Sequence, residues 1–147
     1  MVKRLIIDDV EIEEIPVSDI RSAYCLIEKD LRSVSNKSYA EWIPADVYAC
    51  LMEGSAVLYI FYKKEEYIGF SVLAVTTNML REKSLLVWIG YQKPPHTPVG
   101  AGFKLYDKVA DELGISSIEF HSSRPGWGKV APKYGYEFVT NMYRKEL

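Results

Sequence analysis

The feature that most constrains this chain is a change of period at Ala56. Upstream, apolar residues recur at helical spacing. From Ala56 they run instead in extended segments, residues 57–62, 67–77 and 84–91, rich in β-branched and aromatic side chains. The charged turn Lys63-Lys64-Glu65-Glu66 joins the first two segments into a hairpin. Residues 78–83 are a loop, and the third segment is apolar almost throughout, as a central strand should be. Such a sheet must have its faces covered, and the flanking sequence supplies the cover.

Residues 4–7 and 10–15 read as two short strands, and Pro16 and Ser18 punctuate the chain after them. Ser18 is an expected N-cap for a helix opening at Asp19, in which Ile20, Ala23, Tyr24, Ile27 and Leu31 share one face. Residues 33–38 are a polar loop. A second helical region, interrupted by Pro44, puts Val47, Tyr48, Cys50 and Leu51 on its apolar side and stops at Gly54. After the third strand of the sheet, Pro94, Pro95 and Pro98 end extended structure. Residues 103–113 are helical to a C-cap at Gly114, 115–121 are a strand, 129–134 a short helix, and 137–145 a last strand. This order predicts one domain, 1–147, in the α/β (mixed α+β) class. No linker, repeat or low-complexity stretch divides it.

Composition excludes several function classes. A net charge of −2 gives no basic field for nucleic acid or an anionic membrane. No run of about 18 apolar residues predicts a membrane span, and the few apolar residues before Asp8 are too short for a signal peptide, so a cytoplasmic protein is expected. Cys25 and Cys50 read as reduced core residues. Two histidines without Cys/His spacing predict no metal site. No G-x-S-x-G supports a hydrolase.

Three stretches carry candidate chemistry. Gly100-Ala101-Gly102 lies where a strand-to-helix turn opens a helix, and serves either as a turn that needs small residues or as backbone donors for an anion. Glu119 and His121 share one face of their strand, opposite Ile118 and Phe120, and either act as base and proton relay or are merely exposed. Trp127, between glycines, either anchors a partner or closes the core. Arg124, beside the Pro125-Gly126 bend, is a lone cation for a phosphate or carboxylate.

The element order, together with Gly114-Ile115-Ser116-Ser117-Ile118-Glu119-Phe120, Gly126-Trp127 and Tyr134-Gly135-Tyr136-Glu137-Phe138, resembles the GNAT (Gcn5-related N-acetyltransferase) superfamily across essentially the whole chain. Arg124-Pro125-Gly126-Trp127 is similar to small GNAT-like proteins of tailed phages and prophages. The resemblance implies a central, mixed, mostly antiparallel twisted sheet of about six to seven strands flanked by about four helices. It also implies acetyl-CoA as co-substrate and a small-molecule or protein amine as acceptor. Val99, Gly100, Ala101 and Gly102 are then the cofactor loop, and Trp88, Ile89 and Gly90 the strand edge that cradles the acetyl group.

Against the family's [QR]-x-x-G-x-[GA] loop, Pro95 stands where Gln or Arg belongs and Pro98 where the middle glycine belongs. A proline has no N–H to give to a phosphate. Ala131 stands four residues before Gly135, where many members carry a catalytic tyrosine, leaving Tyr134 as the nearby substitute beside Glu119 and His121. The resemblance leaves two functions open. One is an acetyl-CoA-dependent N-acetyltransferase with a degenerate pyrophosphate loop. The other is a catalytically inactive interaction protein, such as a phage virion or assembly component, with protein partners. For either function the resemblance implies that two copies can pair as a homodimer through their carboxyl-terminal strands.

Overall fold

The computed structural model describes residues 2–37 and 40–147. Two antiparallel strands, β1 (Lys3–Ile7) and β2 (Val10–Ile15), open the chain. Asp8 and Asp9 join them in a two-residue turn with positive φ (51° and 65°), the geometry that matches the twist of a hairpin and that aspartate tolerates. A 3₁₀ turn (Val17–Asp19) leads into α1 (Ile20–Lys37), followed by α2 (Pro44–Glu53). Then come β3 (Ala56–Lys63), β4 (Glu66–Thr77), β5 (Lys83–Gln92), α3 (Val99–Leu113), β6 (Ile118–Glu119) and α4 (Trp127–Val130), which runs into a 3₁₀ turn (Ala131–Tyr134).

The six strands lie in sequence order in one sheet. All neighbours are antiparallel except β5 and β6, which are parallel because α3 carries the chain back between them. The mixed, mostly antiparallel sheet with four helices agrees with the architecture expected from the sequence.

Period two in the strands puts an apolar set on each face. One face gathers Val10, Ile12, Tyr59, Phe61, Ile68 and Leu85 under α3, which contributes Phe103, Leu105, Tyr106 and Ala110. The other holds Leu58, Ile60, Phe70, Val72 and Ile89 under α1 and α2, through Ile20, Ile27, Leu31, Val47 and Leu51. No helix among the described residues is long and apolar enough to cross a membrane.

The structure departs from the sequence reading in five places. First, residues 33–37 continue α1 instead of forming a loop. They contain no Gly or Pro, and Val34, three residues after the buried Leu31, packs on the same core. The end of that expected loop, Ser38, lies outside the described residues. Second, Ser18 is not an N-cap, because Pro16 and the 3₁₀ turn set the chain's direction before α1 begins.

Third, α3 starts at Val99 and so takes Gly100–Gly102 into its first turn. Fourth, the strand expected at 115–121 is reduced to Ile118–Glu119, and 137–145 forms no strand at all. The second segment carries β-formers in two adjacent pairs, Phe138-Val139 and Met142-Tyr143, but a strand also needs a ladder partner, and β6 offers an edge of only two residues. Phe138, Val139, Met142 and Tyr143 are left exposed, and Arg144 is ion-paired with Glu41 ahead of α2. Fifth, Cys25 is exposed and Cys50 only half-buried at the margin of the core, so neither is the buried residue expected.

Candidate functional site

The sheet opens between β5 and β6. The two strands pair at Leu85↔Ile118 and Leu86↔Glu119, with the Leu85 N–H donating to the Ser117 carbonyl at 2.8 Å, and there the ladder stops. On its other side β5 keeps pairing with β4 as far as Gly69↔Gln92. Its register slips between Val72↔Ile89 and Leu73↔Val87, which makes Trp88 an extra, bulged residue. A bulge bends and twists its strand, and here it falls just where the neighbouring strand is lost. The remainder of β5 therefore runs past β6 with one edge out of the ladder. The gap lies at the carboxyl ends of two parallel strands, the usual place for a ligand crevice in such sheets.

Trp88, Ile89 and Gly90 form this edge. Ile89 is buried under α1 and α2, and Trp88 meets Trp42, from the segment ahead of α2, edge to face at 6.1 Å. The Gly90 side faces Tyr106 of α3. That tyrosine is buried, with its hydroxyl 2.6 Å from Ser71 Oγ. A β-carbon on Gly90 would stand 3.8 Å from the hydroxyl, and one on Gly102 would stand 3.4 Å from it. Burial pushes the Tyr106 phenol up to about 12, a shift that the Ser71 hydrogen bond partly opposes. Gly102 thus lies directly against the Tyr106 ring. Its N–H is also engaged, donating to the Pro98 carbonyl at 2.9 Å.

That bond defines which donors the helix end has left. Pro98 precedes α3 and has no N–H. Val99, Gly100 and Ala101 form the first turn, whose N–H groups have no carbonyl one turn earlier to meet, and no side chain caps them. A cavity of about 390 Å³ adjoins this end, lined by Gly100, Ala101, His96, Thr97, Lys63 and Asp8, among others. His96 Nε2 lies 3.5 Å from Glu66. Asp8 receives two hydrogen bonds from Lys104 Nζ, at 2.8 and 2.9 Å, and its Oδ2 lies 3.9 Å from a β-carbon placed on Gly100.

Tyr134 stacks on Phe103 with centroids 4.4 Å apart, and its hydroxyl lies 3.7 Å from that same β-carbon position. The structure therefore brings Tyr134 to the start of α3. Glu119 stands at the last pair before β5 and β6 separate, with His121 two residues on. Both are exposed, while Ile118 and Phe120 pack under α3. Trp127 meets Phe103 and Phe120 at 5.9 and 5.0 Å, so of its two readings the structure takes the closing of the core. Arg124 is exposed, its N–H donating to Ser122 Oγ.

Sequence reasoning missed Asp8, Trp42, Ser71 and Tyr106. Asp8 read only as the end of the first apolar run, and Tyr106 as one position within the helix 103–113. Only the small residues at Gly90 and Gly102 hinted that something close-packed separated them.

No protein-family model matches the chain, and no curated protein matches it in sequence. Solved structures do. A GCN5-related N-acetyltransferase from Ralstonia eutropha JMP134 matches with a TM-score of 0.68 at 13% identity, covering 93% of this chain and 98% of its own. A predicted acetyltransferase with acetyl-CoA from Clostridium acetobutylicum gives 0.65 at 15%, over 93% and 96% of the two chains. An aminoglycoside acetyltransferase from an uncultured soil metagenomic sample, in complex with sisomicin, gives 0.64 at 12%, over 95% and 98%. At such identities the likeness establishes architecture: this chain has the fold of the Gcn5-related N-acetyltransferases.

Proposed function

We propose that this chain is an N-acetyltransferase that moves an acyl group from a coenzyme A thioester to an amine. The observation that carries the reading is the open edge of β5, bulged at Trp88 at the level where β6 ends. A thioester arm laid along that edge takes the place of the missing strand and meets backbone donors and acceptors that the sheet leaves over. The acetyl and pantetheine end of acetyl-CoA fits this surface. The diphosphate end fits poorly: three N–H groups await it at α3, but Asp8 stands beside them and holds Lys104.

The transfer needs a neutral amine. Glu119, at the point where the strands separate, with His121 beside it, accepts the ammonium proton. The amine nitrogen attacks the thioester carbonyl, whose oxygen gains negative charge and is held by an N–H of the Trp88–Gly90 stretch. The C–N bond forms, the C–S bond breaks, the leaving thiolate takes a proton from the Tyr134 hydroxyl, and the second proton of the acylated nitrogen returns to the Tyr134 oxygen. Tyr134 here replaces the tyrosine absent from position 131.

Calorimetric titration with acetyl-CoA, followed by thiol release with a panel of amines, tests the reading. Binding and amine-dependent thiol release are expected, and absence of binding at millimolar concentration rejects it. Tyr134→Phe keeps the stacking on Phe103 and should lower kcat by about a hundredfold, leaving KM for the donor little changed. Equal kcat values in the two proteins would remove Tyr134 from the chemistry.

A second reading is favoured by one observation. Phe138, Val139, Met142, Tyr143 and Leu147 are exposed over a short carboxyl-terminal stretch, and grouped exposed apolar residues are a feature of interaction surfaces. In that reading the chain is a non-catalytic interaction protein, such as a phage assembly component. Deletion of residues 137–147 should then abolish partner capture, whereas an enzyme acting alone should show acyl transfer as a monomer in sedimentation.

A further inference from the structure

We infer that Asp8 is a specificity determinant for the acyl donor: its carboxylate is the resident anion at the start of α3 and turns away a diphosphate. The donor is then recognised through its uncharged pantetheine arm. The consequence for the donor rests on the acyltransferase reading above; the exclusion of phosphate does not.

The first turn of α3 has three N–H groups without helical partners, no acidic residue and no capping side chain, so the partial positive charge of the helix end is unmet from within the helix. The negative charge comes from elsewhere in the chain. Gly100 and Lys104 are one turn apart and therefore share a face of α3. Asp8 lies along that face, bonded twice to Lys104 and close to Gly100. It is presented by a two-residue turn whose ends are pinned by the Ile7↔Val10 pair, so the carboxylate is delivered by a short, tied piece of backbone.

A diphosphate at this end meets two obstacles. Its oxygens would have to approach the N–H groups within about 3 Å, beside a carboxylate of like charge. The cation one turn into α3, Lys104, is already engaged by that carboxylate. Lys63 and His96 line the same cavity, but His96 faces Glu66. Donor recognition is left to the β5 edge, which carries no charge.

The test compares wild type with Asp8→Asn and Asp8→Gly. Both residues suit a positive-φ turn better than aspartate does, so the hairpin is retained. Titration with inorganic pyrophosphate, followed through the amide resonances of Val99, Gly100 and Ala101, should give no saturable shift in wild type at millimolar concentration. Both variants should saturate, at least about tenfold more tightly. Adding Lys104→Met to Asp8→Asn should reverse most of that gain. Equal binding in wild type and variants overturns the inference, and so does absence of binding in every protein.

In parallel, wild type should bind acetyl-CoA and S-acetyl-pantetheine within about threefold of each other, and Asp8→Asn should favour acetyl-CoA by about tenfold. If no protein binds either thioester, the acyltransferase reading fails and the pyrophosphate titration still decides the role of Asp8. If thioesters bind but Asp8→Asn leaves both titrations unchanged, the role of Asp8 alone is rejected.

Discussion

Above pH 10 the protein is expected to lose stability steeply and to unfold in a single alkaline transition. Tyr106 carries the clearest part of this. Its phenol is buried against Ser71 under Gly90 and Gly102, and burial raises it from 10.0 to about 12. Below pH 10 the tyrosine is neutral in both the folded and the unfolded chain, and the full stability is present. Between pH 10 and 12 the unfolded chain gives up this proton and the folded chain cannot, so stability falls by about 1.4 kcal/mol per pH unit, roughly 2–3 kcal/mol in all.

Tyr59, Tyr67 and Tyr136 act in the same direction. Burial is the main cause at each, joined by Glu14 at Tyr59, Asp30 at Tyr67 and Asp107 at Tyr136. Tyr59 donates to Glu14 at 2.9 Å and Tyr67 to Asp30 at 2.8 Å, so ionising either would set an anion against an anion. Tyrosinate absorbance and far-ultraviolet circular dichroism should therefore change together over the same pH interval. Tyrosines that ionise near pH 10 while the circular dichroism stays native would show that these phenols are not buried as described. Tyr106→Phe should flatten the first part of the curve, at a cost of about 1 kcal/mol for the unpaired Ser71 hydroxyl.

Gly69→Ala is expected to be the most damaging single-methyl change in the sheet. A β-carbon there would stand 2.2 Å from the Tyr91 carbonyl oxygen and 3.3 Å from its carbon, both backbone atoms of the next strand. No side-chain rotation relieves such a clash. The β4–β5 ladder must open at Gly69↔Gln92, at a cost of about 3 kcal/mol, which is a large part of an ordinary domain's stability. Gly54→Ala is the control. Its φ of 82° carries the left-handed penalty, but nothing lies within 4 Å, so about 1 kcal/mol is expected. Denaturant midpoints of the two variants measure the difference, and equal shifts would remove the close approach at Gly69.

Much of the fold was legible because it follows from periods that the chain cannot hide. The switch from helical spacing to alternation at Ala56 marked β3, β4 and β5 nearly to the residue. Gly54 and Gly114 marked helix ends and do take positive φ there. The carboxyl-terminal stretch was misjudged for a physical reason. A run of β-forming residues favours an extended segment, and says nothing of whether an edge is free to pair with it. The candidate site was legible only in part. Small residues at 100–102 pointed to the start of a helix, but their neighbours differ: Gly100 lies near Asp8 and Tyr134, whereas Gly102 lies against Tyr106.

The sequence by itself determined the local elements, the two apolar faces of the sheet and the absence of N–H donors at Pro95 and Pro98, because spacing and covalent structure are properties of the chain. Only the tertiary structure decided where β5 leaves β6, that Trp88 is the bulged residue, and that Asp8 reaches Lys104 across 96 positions of sequence. These depend on how strands and helices from distant segments pack, and no local pattern encodes a distance between them.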